Sequence, residues 1–281
     1  MMRILFKFFA ISSFLFLLTS CSKDLALDGV PAYLRIDSVT VIGANRFGII
    51  SQDIFGVQID VGAESRGIWQ LKSLIPVLQE GDKNLIMYPF IKVNNLSNNF
   101  IQYPFLKSNL TLHNFKFTRV DTIVPSFSYY DDTRVVLIEE FENNSNFSNA
   151  TVSATAKNGL GSLKIEANNQ STADSSITAV HVSQLVLNPG KEIYLEFDYY
   201  MPSGALMPSI SFTDANGNIK NLYADNFLKS NKDKGWTHVY WRFSSLVGYA
   251  NVSKGYVTFS LLKNDVPNGE VYIDNLKLLE R

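Results

Sequence analysis

The chain has a single cysteine, Cys21, in 281 residues, so no disulfide can form within it and stability must come from buried core. Histidine is almost as scarce: His113, His181 and His238 are far apart in the sequence, and no His-Glu-x-x-His occurs. There is no Gly-x-Ser-x-Gly elbow and no phosphate loop, and Gly159-Leu-Gly161 lacks the third glycine of a nucleotide loop. Together these absences argue against an enzyme. Charge of one sign is missing too: 25 Lys and Arg stand against 26 Asp and Glu, without a basic stripe, which argues against nucleic acid as a partner. No window shows sustained helical periodicity, and no apolar run reaches the length of a comfortable transmembrane span.

What is present begins at the N-terminus. Arg3 and Lys7 precede and interrupt an apolar stretch rich in phenylalanine, Ile4 to Leu18, which has the layout of a secretory signal. It ends in Leu18-Thr19-Ser20-Cys21, which resembles the lipobox of bacterial lipoproteins. That resemblance implies a signal peptide over 1–20, cleavage before Cys21 and acylation of its sulfur by a palmitate-like chain. A lipidated tether over 21–30 would follow, with Ser22-Lys23-Asp24 nearest the lipid. The expected location is the cell envelope, at the outer membrane, periplasmic or surface-exposed.

The remainder reads as strands and turns. Apolar and polar residues alternate in Tyr33–Val41, Ile54–Val61 and Asn84–Tyr88, the period-2 mark of half-buried strands. Turn residues recur at Gly43-Ala-Asn45, Gly62-Ala-Glu-Ser65, Glu80-Gly-Asp82, Asn188-Pro-Gly190, Asn216-Gly217 and Pro267-Asn-Gly269, a spacing that suits sandwiches and barrels. The predicted fold is all-β. An immunoglobulin-like β-sandwich over 31–130 is followed, after the Tyr130–Thr133 boundary, by a jelly-roll β-sandwich over 134–281. A fragment starting at about Thr133 is expected to fold alone.

Two resemblances bear on these units. The first unit resembles uncharacterised lipoproteins of Bacteroidetes through Ala32-Tyr-Leu-Arg-Ile-Asp-Ser38, Asp53–Val61, Gly67-Ile-Trp-Gln-Leu71, Ile75–Gly81, Pro89–Asn95 and Tyr103-Pro-Phe105. It departs from them at Phe90 and Asn95, where that family has glycine; the resemblance implies fold and location, not chemistry. The second unit resembles the jelly-roll carbohydrate-binding modules through Glu139–Glu142, Gly161–Ile165, Pro189–Tyr200, Gly235–Phe243 and Glu270–Leu278. Modules of this type hold a structural calcium ion through carboxylates on their first and last strands, and the matching positions here are Glu140, Glu142 and Asp274. The alternative for the glutamate cluster is a solvated strand edge.

Strand alternation names a candidate ligand face. Ile193, Leu195 and Phe197 share one face with Val239, Trp241 and Phe243 and are predicted core. Tyr194, Glu196, Asp198 and Tyr200 then fall on the opposite face with Trp236, His238, Tyr240 and Arg242, and the candidate ligand residues among them are Glu196, Asp198, Trp236, His238, Tyr240 and Arg242. For these residues to form one site, both strands must lie in one sheet, with these side chains on its open concave face. Aromatic rings stack on the C–H faces of sugars while ionic groups bind hydroxyls, so this set suits glycan. The alternative is ordinary cross-strand packing on an outer face. The expected function is a membrane-anchored lipoprotein that binds a glycan or another envelope component. The competing class is an interaction subunit that docks an envelope protein on apolar side chains around Trp69 and Phe100. Asp37-Ser-Val39 and Asp121-Thr-Ile123 also resemble O-glycan acceptor triplets of exported Bacteroidetes proteins.

Overall fold

The computed structural model describes residues 30–96, 98–167, 176–224, 226–263 and 267–281; the leader, the lipobox and Cys21 lie outside them. The described chain is all-β apart from a 3-10 turn at Asn45–Phe47 and one short helix, Ser244–Ala250. Among the described residues no helix is long and apolar enough to cross a membrane.

Ten strands come first: β1 (Ala32–Ile36), β2 (Thr40–Ile42), β3 (Gly56–Val61), β4 (Glu64–Gln70), β5 (Leu74–Val77), β6 (Gly81–Lys92), β7 (Phe100–Gln102), β8 (Asn109–Phe115), β9 (Val120–Ile123) and β10 (Ser126–Ser128). They form a five-stranded sheet, β4-β3-β6-β7 with β8 also on β6, facing smaller sheets β5-β1-β9 and β10-β2. The alternation seen in the sequence is the cause. In β3, Val57, Ile59 and Val61 point inward, and Leu34 and Ile36 of β1 meet them with Leu85, Phe115 and Phe127.

Twelve strands follow: β11 (Arg134–Glu139), β12 (Thr151–Ser153), β13 (Ser162–Ala167), β14 (Ser176–Val180), β15 (Leu185–Val186), β16 (Ile193–Ser203), β17 (Ala205–Thr213), β18 (Ile219–Leu222), β19 (Leu228–Lys229), β20 (Thr237–Arg242), β21 (Lys254–Leu262) and β22 (Gly269–Glu280). They build two six-stranded antiparallel sheets, packed face to face as a sandwich. One runs β12-β13-β22-β16-β20 with β11 on β22; the other runs β14-β21-β17-β18 with β15 and β19 beside it. Ile193, Leu195, Phe197, Val239, Trp241 and Phe243 all lie in the core between these sheets, on the face that alternation predicts.

The other face of the β16–β20 sheet is covered by the first sandwich. Tyr194 sets its ring edge-on against Tyr103 and Phe105, at 5.9 and 5.5 Å between centroids, and Tyr240 meets Tyr103 at 5.0 Å. Tyr194, Tyr240 and Leu279 thereby join the core of the first unit. Polar groups complete the seam. The Tyr240 hydroxyl donates to the Asp53 carbonyl at 3.2 Å, Lys277 Nζ donates to the Ile49 carbonyl at 3.1 Å, and Arg281 pairs with Asp132 at 2.9 Å. At the edge of the sheet Asn94, in the left-handed region at φ 53°, completes the ladder of β20. Its N–H donates to the Tyr240 carbonyl, and its side-chain oxygen accepts the Arg242 N–H.

Candidate functional site

Next to the Arg242–Tyr194–Leu279 row, the strand order β20-β16-β22 sets three further cross-strand rows on the seam face. The first is Tyr240–Glu196–Lys277, the second His238–Asp198–Asp274, and the third continues through Tyr200–Tyr272. The first row is sealed. Glu196 and Lys277 are almost wholly buried and stand 3.4 Å apart, and Lys277 also lies over the Tyr129 ring of the first unit. Burial opposes a charge on Lys277, yet Glu196 beside it outweighs that and holds its pKa above the usual lysine value.

The second row is fixed from both sides. His238 Nδ1 lies 3.2 Å from Asp198 Oδ1, and His238 Nε2 lies 3.7 Å from Glu196, an ion-pair distance beyond a hydrogen bond. A β-bulge between Asp274 and Lys277 places Asn275 in the left-handed region at φ 52°, a conformation asparagine tolerates. That bulge aims Asn275 Nδ2 at Asp198 Oδ2, at 2.7 Å. Burial works against the imidazolium, but Asp198 and Glu196 overcome it and push the His238 pKa up to about 9. Burial likewise opposes the Asp198 carboxylate, and His238 reverses the direction and holds its pKa below the usual range. Asp198 and His238 are therefore an ionised pair at neutral pH.

This pair makes stability fall as pH rises. The folded chain binds the His238 proton more tightly than the unfolded chain, so its contribution is complete below about pH 6.5 and disappears as pH passes about 9. Urea unfolding at pH 9.5 is expected to give about 2–3 kcal/mol less stability than at pH 6.5. His238→Gln should flatten that interval; an unchanged slope in the variant would assign the loss elsewhere.

Beside the pair lies a cleft of about 500 Å³ between the two units. Asp198, Thr237 and His238 line it from the sheet, Ile49–Asp53 from the first unit and Lys157–Asn158 from a loop of the second, and Trp236 joins them. The Ile49–Asp53 wall is pinned by Gln52, whose side chain accepts from the Val41 N–H at 2.6 Å and donates to the Val41 carbonyl at 3.0 Å. From Trp236 an aromatic strip continues across the sheet. Tyr200 lies 6.1 Å from Trp236, and Tyr272 lies 5.9 Å from Tyr200 with planes 17° apart. All three rings are half-buried. A half-buried ring beside fixed polar groups can hold a ligand with apolar faces and hydroxyl edges.

The six residues of the expected ligand face thus share one sheet face, but that face is not open. Asp198, Trp236 and His238 line the cleft. Tyr240 lines a smaller neighbouring cavity, and Glu196 is sealed in the seam. Arg242 pairs with Glu192 at 3.0 Å. Tyr272 escaped the sequence reading, although the alternation of Glu270-Val-Tyr-Ile273 places it on the same face as Glu270.

The carboxylates expected to hold calcium do not converge. Among the described residues no three His, Cys, Asp or Glu side chains form a metal-binding group. Asp274 accepts the N–H groups of Lys157, Asn158 and Asn275 at 2.8, 3.0 and 2.7 Å, so its oxygens face donors rather than a cation. Glu142 accepts the Leu160 N–H at 2.7 Å and lies so close to Gly159 that a Cβ there would stand 1.6 Å from its oxygen. Glu140 turns toward Gly48 of the first unit. The apolar dock expected at Trp69 and Phe100 is also modified. The Trp69 indole N–H is bound to the Arg66 carbonyl, and Phe100 stacks on Phe55 at 4.2 Å with Lys92 above. Ser38 and Thr122 of the two acceptor triplets are both exposed.

No protein-family profile matches the chain, and no curated protein matches it. Among solved structures, a xylan-binding domain of carbohydrate-binding module family 22 from Paenibacillus barcinonensis matches 52% of this chain and 94% of its own, at 12% identity and a TM-score of 0.38. A C-terminal family 22 module from Clostridium thermocellum matches 51% of this chain and 91% of its own, at 18% identity and a TM-score of 0.36. A carbohydrate-binding module of the β-sandwich superfamily spans 86% of this chain and 93% of its own, at 15% identity and a TM-score of 0.36. Scores and identities this low assign neither family nor ligand.

Proposed function

We propose that the protein is a glycan-binding lipoprotein of the cell envelope. The cleft between its two sandwiches would be the binding site, and the acylated Cys21 its anchor. The observation that carries this reading is the run of Trp236, Tyr200 and Tyr272, which starts at Trp236 in the lining of the 500 Å³ cleft beside the fixed Asp198–His238 pair. The rings would stack on sugar C–H faces, and Asp198, Asn158 and Lys157 would take hydroxyls. Calcium is not required by this arrangement.

Trp236→Ala should weaken glycan binding by about 1–3 kcal/mol, because the ring gives up its stacking contact while remaining outside the core. Stability of that variant should stay within about 1 kcal/mol of the parent. A glycan array probed with the two chains tests this, and equal retention of both would overturn the placement of the site. The anchor has its own test. Cys21→Ala should abolish incorporation of a fatty-acid probe and leave the protein unlipidated, whereas continued labelling would refute acylation at Cys21.

A further inference from the structure

The cleft has a second arm. A cavity of about 260 Å³ shares Asp53, Thr237 and His238 with the main cleft and extends along β20 on the other side, where Phe55, Lys92, Asn95 and Lys234 line it. Its charge differs from that of the main cleft. There Lys157 faces Asp53 and Asp198, and Asp198 is already answered by His238. In the second arm two ammonium groups, Lys92 and Lys234, face the single carboxylate of Asp53. Among the described residues neither lysine has a carboxylate within ion-pair distance. Lys92 is instead held 4.5 Å from the centre of the Phe55 ring, itself stacked on Phe100, so an aromatic shelf positions its charge. Beyond the far end of the aromatic strip the sign reverses: Lys164 is claimed by both Glu166 and Glu270, at 2.6 and 3.0 Å.

We infer that the ligand is an acidic oligosaccharide, one that carries a carboxylate, sulfate or phosphate, and that it lies along the seam with its anionic group in the Lys92–Lys234 arm. The inference rests on the glycan reading of the main cleft. An anion in this arm would exchange water for two ammonium groups that have no carboxylate partner among the described residues, whereas at the Glu166–Glu270 end it would meet like charge. The groove therefore has a direction as well as a class of ligand.

The full mature chain and the double variant Lys92→Gln/Lys234→Gln would be compared on an array of matched neutral, carboxylated, sulfated and phosphorylated oligosaccharides, at low and at 0.5 M salt. The expected result is about tenfold tighter retention of one acidic set over its neutral counterpart at low salt, diminished by salt and removed by the double variant. Retention of neutral glycans alone overturns the inference and leaves the main cleft standing, as does an acidic preference that survives the double variant. Retention of no glycan at all overturns both.

Discussion

Replacing Lys277 with methionine is expected to destabilise the protein by about 3–5 kcal/mol, although the variant side chain is apolar and of similar length. Lys277 and Glu196 are directly opposite on β22 and β16, are almost wholly buried, and stand 3.4 Å apart. Removing the ammonium leaves Glu196 in a sealed seam with, among the described residues, His238 at 3.7 Å as its remaining cationic neighbour. The Ile49 carbonyl also loses its donor. A buried pair is not itself a large net stabiliser, so the loss comes from the group left behind. Lys277→Met combined with Glu196→Gln should therefore recover much of the stability, and a double-mutant cycle by urea unfolding measures the coupling. Additive losses would show that the two side chains do not act as a pair.

Separating the sandwiches should have an effect at least as large. Residues 133–281 keep every strand of the second unit, but they lose the cover over Tyr194, Tyr240 and Leu279, which are packed into the first core. They also expose the Glu196–Lys277 row. We expect the isolated fragment to melt roughly 10 °C or more below the full chain, or to precipitate, while the full chain unfolds in one cooperative transition. A fragment as stable as the intact protein would show that the seam contributes little.

The same seam marks the boundary of what the sequence makes legible. Period-2 alternation found the core positions Ile193, Leu195, Phe197, Val239, Trp241 and Phe243, and it put the two strands' polar residues on one face. Alternation reports that a face is polar, however, and not whether water or protein covers it. A charge-balanced row such as Glu196–Lys277 looks like a solvated surface when only one strand is in view. The available signal was Lys277 itself, flanked by Leu276, Leu278 and Leu279, where a lone cation in an apolar run calls for a buried partner. The sequence also does not show, for a related reason, that Glu140, Glu142 and Asp274 stay apart. Two of the three donors on Asp274 are the backbone N–H groups of Lys157 and Asn158, more than a hundred residues away, and main-chain donors leave no mark on side-chain pattern.

Asn94 stands in for a strand that the second unit does not have. β20 is the last strand of its sheet, and the Asn94 turn takes up the Tyr240 carbonyl and the Arg242 N–H that would otherwise face outward. Bare strand edges are templates on which another chain can continue the ladder. The first sandwich thus acts as an end-stop against sheet growth between molecules. Whatever parts the seam, whether alkaline pH at His238 or loss of Lys277, uncovers that template in the same event. The earliest aggregates should accordingly grow from Thr237–Arg242, before the rest of the chain has unfolded.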